Sequence, residues 1–216
     1  KCDPCVEIAA GRDLDVIEQF FSRRGLRASA QVSSWASSAT LDRLSSRGYR
    51  PQWFRSVFAA ALPLPLPEAS PQIDSIGIVE VDDRNLHEWL GVLAEGNGIT
   101  TAEGRATSDE FGLAAHRAVG SVDLLAVVDG HALGCGSMQI ASGVGWLGGA
   151  AIRPSDRGRG VQTALVRYRI RLAAEAGCEF IAATALPAGA SARNLLRHGL
   201  HLIDTQLVVT AELGAC

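Results

Sequence analysis

Pro154-Ser155-Asp156-Arg157-Gly158-Arg159-Gly160-Val161-Gln162 follows an apolar run ending at Ile152 and precedes a segment in which Val161, Leu165, Tyr168, Leu172 and Ala176 recur at helical spacing. The stretch reads as a strand, a loop over Pro154 to Gly160, and a helix that stops at Gly177. Glycines in such a loop let backbone N–H groups turn toward a common point, because no Cβ stands in the way. The free amides that open the helix, at the positive end of its dipole, complete an anion site. Arg157 and Arg159 add donors suited to phosphate oxygens, so a pyrophosphate is the guest this combination suits. The spacing is neither that of the nucleoside-triphosphate loop, which needs Lys-Ser/Thr after its last glycine, nor the dinucleotide G-x-G-x-x-G. A turn that binds nothing is the bland alternative.

Working outward, three antiparallel strands precede the loop: Leu124 to Val128, Ala132 to Ile140 and Val144 to Ile152. Asp129-Gly130 and Ser142-Gly143 punctuate them as hairpin turns do. Before these come a strand over Ile73 to Val81, a helix over Arg84 to Ala94 with Leu86, Trp89, Leu90 and Leu93 on one face, and a mixed, partly helical stretch from Thr101 to Ala118. After the loop helix, on which Arg167, Arg169 and Arg171 fall on other faces, come a strand over Glu179 to Leu186, a short helix over Ser191 to His198 and a last strand over Leu202 to Ala211. The fold class is α/β (α+β): a mixed, largely antiparallel sheet flanked by helices.

Leu62-Pro63-Leu64-Pro65-Leu66-Pro67-Glu68-Ala69-Ser70-Pro71 reads as a linker, since alternating prolines remove backbone donors and favour an extended spacer. The chain therefore divides into residues 1–62, a linker at 63–72 and a domain at 73–216. From Gly25 to Gly48 the first segment runs through helix stop, strand (Ala28 to Val32), short helix (Thr40 to Leu44) and glycine. Gly177 to Gly199 runs through the same elements at nearly the same spacing, and each second glycine is followed by a strand, Trp53 to Ala59 in the first segment. This is a half-sized repeat of one architecture.

The 216 residues carry a formal net charge of -3, with 47% hydrophobic and 20% charged residues. Such a chain has a core, and it lacks the basic excess that nucleic acid or an anionic membrane would need as partner. No apolar run is long enough to span a bilayer, and the opening residues Lys1-Cys2-Asp3-Pro4-Cys5 do not resemble a signal peptide, so the expected location is cytoplasmic. Five scattered cysteines suit reduced thiols there better than disulfides. Cys2-Asp3-Pro4-Cys5 has the spacing of a metal knuckle, but no second ligand pair is visible, and no metal site is expected.

The loop resembles the acyl-CoA loop of the GCN5-related N-acetyltransferases, Q/R-x-x-G-x-G/A. Arg157 and Gly160 match it, and Gln162 stands where the family has Gly or Ala. Ile152-Arg153-Pro154 is similar to the end of the strand that pairs with pantetheine, and Ser191-Ala192-Arg193-Asn194 followed by Gly199-Leu200 looks like the family's late Ser-x-x-Asn helix. The resemblance covers residues 73 to 216. It implies acetyl-CoA, or another acyl-CoA, held by Ala150, Ile152, Arg157, Gly158, Arg159, Gly160, Val161, Gln162, Thr163, Ser191 and Asn194. An amine would attack the thioester directly, with a backbone N–H of the preceding strand polarising its carbonyl. The first segment then resembles the degenerate half of a tandem acetyltransferase. Its helix opens with Gly11-Arg12-Asp13-Leu14-Asp15, whose carboxylates would repel a pyrophosphate. A complete copy would also need strands before that helix, so residues preceding Lys1 are expected in the natural protein.

Many relatives carry a Glu on the strand before the loop and a Tyr after the late Asn. Here Val144-Gly145-Trp146-Leu147-Gly148-Gly149-Ala150-Ala151-Ile152 has no carboxylate, and Leu195-Leu196-Arg197-His198 has no Tyr. Glu103 and His116 are the candidates for proton transfer, beside Asp109 and Glu110, and each could equally be a surface group. His198 reads as a helix-end cation and Cys135 as a small buried residue. The expected partner is a small-molecule amine, with a homodimer left open. The rival readings are an acyl-CoA-binding sensor without turnover, and O-acyl or longer-chain transfer.

Overall fold

The computed structural model describes residues 11–66, 68 and 70–212. The Cys2/Cys5 pair, Cys216 and the linker positions Pro67 and Ala69 lie outside the described residues. The elements are α1 (Gly11–Ser22), β1 (Ser29–Val32), α2 (Ser38–Ser46), β2 (Tyr49–Ala61), α3 (Pro71–Asp74), β3 (Gly77–Glu80), α4 (Leu86–Gly96), α5 (Ala102–His116), β4 (Ser121–Val128), β5 (His131–Ala141), β6 (Val144–Ile152), α6 (Val161–Glu175), β7 (Phe180–Ala185), α7 (Ala190–Arg197) and β8 (His201–Ala211).

Two compact units result: residues 1–57 with 203–216, and residues 58–202. The division falls inside β2 and β8, not at the 63–72 linker. Each half of the sequence lends a strand end to the unit built mainly from the other. In the smaller unit β1 pairs antiparallel with β8, and Leu14, Ala28, Val32, Leu44, Tyr49 and Val209 form its core. A sequence reading cannot place such an exchange, because the contact is between residues some 180 positions apart.

In the larger unit the strand order is β7-β6-β5-β4-β3, antiparallel except for the parallel β6–β7 pair. Successive side chains of a strand point to opposite faces, and β4 obeys this: Leu125 joins the cluster under α4, with Trp89, Leu90 and Leu93, whereas Leu124 and Ala126 join the cluster under α6, with Val161 and Leu165. A third cluster gathers Phe58, Val166, Ile170, Ile181 and Leu195. Helices thus cover both faces.

Ile73 does not begin a strand. Ser70 and Pro71 open the short helix α3, Pro at the first position costing no hydrogen bond, and the strand starts only at Gly77. The mixed stretch after Thr101 is one fifteen-residue helix, begun by the Thr101 side chain accepting from the Gly104 N–H. Arg169 is not on an outer face of α6. It is buried, 1% exposed, and spends its donors on the carbonyls of Leu165, Ser137 and Gly148.

Candidate active site

The β6–β7 pairing joins Val144–Leu147 to Phe180–Ala183. Beyond Leu147, β6 keeps its β5 partners, Ser137 opposite Gly148, Cys135 opposite Ala151 and Gly134 opposite Ile152. That register slips between Cys135 and Ser137, a bulge at the point where β6 leaves β7. Two cavities lie along this stretch of β6.

The first, of about 520 Å³, is walled by Ala150, Ala151 and Ile152 of β6, by Arg157, Gly158 and Gly160 of the loop, by Val161, Gln162 and Thr163 at the start of α6, and by Ser191 and Asn194 of α7. Gly160 caps α6 at φ 83°, a left-handed conformation that glycine adopts without strain, and no side chain caps the helix. The amides of its first turn have no partner within the helix. Arg157 is tied by Nη2 to the Gly96 carbonyl at 2.9 Å, which places its guanidinium at the junction of loop and α4. A Cβ on Gly96 would stand 2.7 Å from Ala151 Cβ and 2.8 Å from the Ile152 nitrogen, so only glycine lets the end of α4 close on β6. Asn194 is 6% exposed, and its Nδ2 has no hydrogen-bond partner. Arg159 stands apart from the others. Its Nη1 pairs with Asp156 at 2.6 Å, and it lines a neighbouring cavity with Arg153 and His131.

The second cavity, of about 930 Å³, lies between α4, α5 and the β5–β6 strands. Glu103, on the first turn of α5, lines it and is its one ionisable side chain among the described residues. His116 does not line it. The His116 Nδ1 meets the buried Asp123 carboxylate at 2.8 Å. Asp109 pairs with Arg105 one helical turn away. The two cavities adjoin through consecutive residues: Gly149 lines the second and Ala150 the first, Asn97 the second and Gly96 the first.

Two titratable groups near these walls are held neutral by burial. His198, 5% exposed, is no helix-end cation: burial pushes its pKa down, and its Nδ1 lies 2.8 Å from the Asn194 carbonyl. Burial pushes the Cys135 thiol up to about 12, which excludes a thiolate nucleophile near neutrality.

Sequence reasoning missed Trp89, Phe111 and Met138 as walls of the larger cavity, whereas Trp146 and the pair Gly148-Gly149, which could shape an acceptor site or simply pack the sheet, do line it. The available signal was Phe111, the one bulky aromatic on an otherwise polar helix.

Residues 86–200 match the model of the acetyltransferase (GNAT) family. No match was found among curated protein sequences. The fold is similar to that of a GCN5-related N-acetyltransferase from Sphaerobacter thermophilus, at 22% identity and a TM-score of 0.66, covering 94% of this chain and 69% of that one. It is also similar to a GCN5-related N-acetyltransferase from Kribbella flavida, at 16% identity and a TM-score of 0.68, covering 93% and 74%. A tandem GNAT protein from the clavulanic acid biosynthesis pathway aligns at 16% identity and a TM-score of 0.64, covering 95% and 70%.

Proposed function

Because the chain belongs to the acetyltransferase (GNAT) family, we propose that it is an acyl-CoA-dependent N-acyltransferase that uses acetyl-CoA to acetylate an amine of a small molecule. The observation that carries this reading is the uncapped start of α6 facing the same cleft as the partnerless Asn194 amide. The amides of Val161, Gln162 and Thr163, with the Arg157 guanidinium beside them, would hold the pyrophosphate. Asn194 Nδ2 would donate to a polar atom of the pantetheine arm, and the backbone of Ala150 and Ile152 would pair with it. Acetyl-CoA would supply an acyl carbon activated as a thioester.

What the chain itself contributes is placement and proton handling. An amine reacts only when neutral, so its proton must leave first. Glu103 is the one side chain lining the acceptor cavity that can accept it. Gly149 lines the larger cavity and Ala150 the cleft, so a bound amine would meet the acyl carbon at that junction.

The smaller unit is read as the degenerate half of a tandem arrangement. Its order α1-β1-α2-β2 parallels α6-β7-α7-β8. Arg47 and His198, the caps of α2 and α7, share φ -94° and ψ 12°, and each is followed by a positive-φ glycine, Gly48 or Gly199. Asp13 at the start of α1 replaces the open amides of α6 with negative charge.

Release of free CoA thiol, measured against a panel of primary amines, tests the enzymatic reading. Thiol release that depends on both amine and enzyme supports it. Acetyl-CoA binding with no release across the panel would leave a sensor and overturn the transferase.

A further inference from the structure

We infer that the acceptor is a monoamine carried on an aromatic or extended apolar body. This deepens the transferase reading and rests on it for the identity of the cavity. The walls of the 930 Å³ cavity are largely apolar, formed by Trp89, Leu93, Ile99, Phe111, Met138 and Trp146 among others. Its volume is that of a site for a drug-sized molecule and is many times what a bare short-chain amine needs.

Two of those side chains leave much of their apolar surface in water. Phe111 is 74% exposed and Trp146 41% exposed, although each faces a cavity built from the protein's own core elements. A ring or chain seated against them would remove that surface from water, at a gain of roughly 25 cal/mol per Å². Both side-chain amides of the wall already donate to backbone carbonyls. Asn97 donates its amide to the Leu93 carbonyl at 2.8 Å, and Gln139 donates to the Val119 carbonyl at 3.4 Å.

The charge count sets the number of amines. Glu103 is the one carboxylate among the described lining residues, so the cavity neutralises the charge of one ammonium. A polyamine would bring further ammonium groups into a wall with no carboxylate for them, and desolvating an unpaired cation is costly. Selection is therefore for an apolar body with a single amine, and against polycations.

Calorimetry on the full chain with no acyl-CoA present tests this independently of turnover. The probes are 2-phenylethylamine, ethylamine and spermidine. 2-Phenylethylamine should bind at least about tenfold more tightly than ethylamine or spermidine. Phe111→Ala and Trp146→Ala should each shrink that preference several-fold, with circular dichroism reporting the fold. Glu103→Gln should weaken 2-phenylethylamine several-fold. Equal affinities, a preference for spermidine, or a preference untouched by either aromatic substitution in a folded chain would overturn the inference. Failure of thiol release with retained aryl-amine binding would count against the transferase and not against the cavity's selectivity.

Discussion

The Arg169 guanidinium donates to the Gly148 carbonyl at 3.1 Å and to the Ser137 carbonyl at 2.9 Å, bridging β5 and β6 where their register slips. Both carbonyls belong to residues lining the 930 Å³ cavity, so a side chain from the opposite face of the sheet holds its wall. Gly136 gives the guanidinium its room: a Cβ there would come 3.1 Å from the guanidinium carbon, closer than ordinary contact. Its acceptors are backbone carbonyls, and burial pushes Arg169 down to about 10.

The energetics of that residue are two opposed terms, the burial cost of a cation and several charge-assisted hydrogen bonds. Lysine keeps the first and, with a point charge, loses the two-carbonyl fork. Methionine loses both. Arg169→Lys should therefore cost about 3 kcal/mol, and Arg169→Met at least about 2 kcal/mol because the Ser137 and Gly148 carbonyls lose their donor, read from urea unfolding. A lysine variant as stable as the parent would refute this.

Phe58 tests the division into units. It is 3% exposed within the cluster containing Val166, Ile170 and Leu195, although the linker reading assigned it to the first segment. Phe58→Ala should destabilise the protein by about 3 kcal/mol, as truncation of a core aromatic does. A loss below about 1 kcal/mol would mean that residues 58–61 do not belong to the larger core.

His198 supplies a pH dependence. Burial, then the repulsion of Arg167 and Arg197, lowers its pKa from the ordinary 6.5, against an opposing pull from the Asn194 carbonyl. As pH falls below about 6.5 the unfolded chain takes up the proton before the folded one does, so the unfolded state gains stability. Native stability should fall on going from pH 7 to pH 5.5, by no more than about 1.4 kcal/mol per pH unit from this residue. Denaturant midpoints at the two pH values, for the parent and for His198→Gln, check it: the variant should lose part of the slope, and an unchanged slope would exclude the residue.

What could be read in the sequence was what local chemistry specifies. Val144–Ile152 and the start of α6 at Val161 were legible to the residue, because turn glycines and strong periodicity mark them. Arg169 was not, since periodicity counts a charge as exposed and the glycine that admits it lies on another element. The wall of the larger cavity was hidden for a different reason. One side of α5 borders a cavity and not packed core, so Phe111 stands alone and the apolar stripe that marks a buried helix face is missing. Ile73 was misread because Ser70-Pro71 starts a helix more strongly than one short apolar run starts a strand.

The smaller unit should add no second cofactor site. Asp13 stands in the first turn of α1, and Asp15 beside it pairs with Arg47 at 2.6 Å, so the helix start is acidic where that of α6 is open. Titration should reach one acetyl-CoA per chain, and a stoichiometry of two would contradict the degenerate reading.

Calorimetric titration of acetyl-CoA into the parent and Gly158→Asp tests the central claim most directly. Gly158 has φ 78° and nothing within 4 Å of its would-be Cβ, so the substitution should cost only about 1 kcal/mol of strain and leave the protein folded. Gly160 is less suitable, because a Cβ there would press to 2.8 Å against Ile73. The new carboxylate would stand among the amides that hold the pyrophosphate, and affinity should fall by at least about a hundredfold, or about 2.7 kcal/mol. Undiminished affinity in a folded Gly158→Asp protein would contradict the account, for acyl-CoA would then be bound somewhere other than this loop.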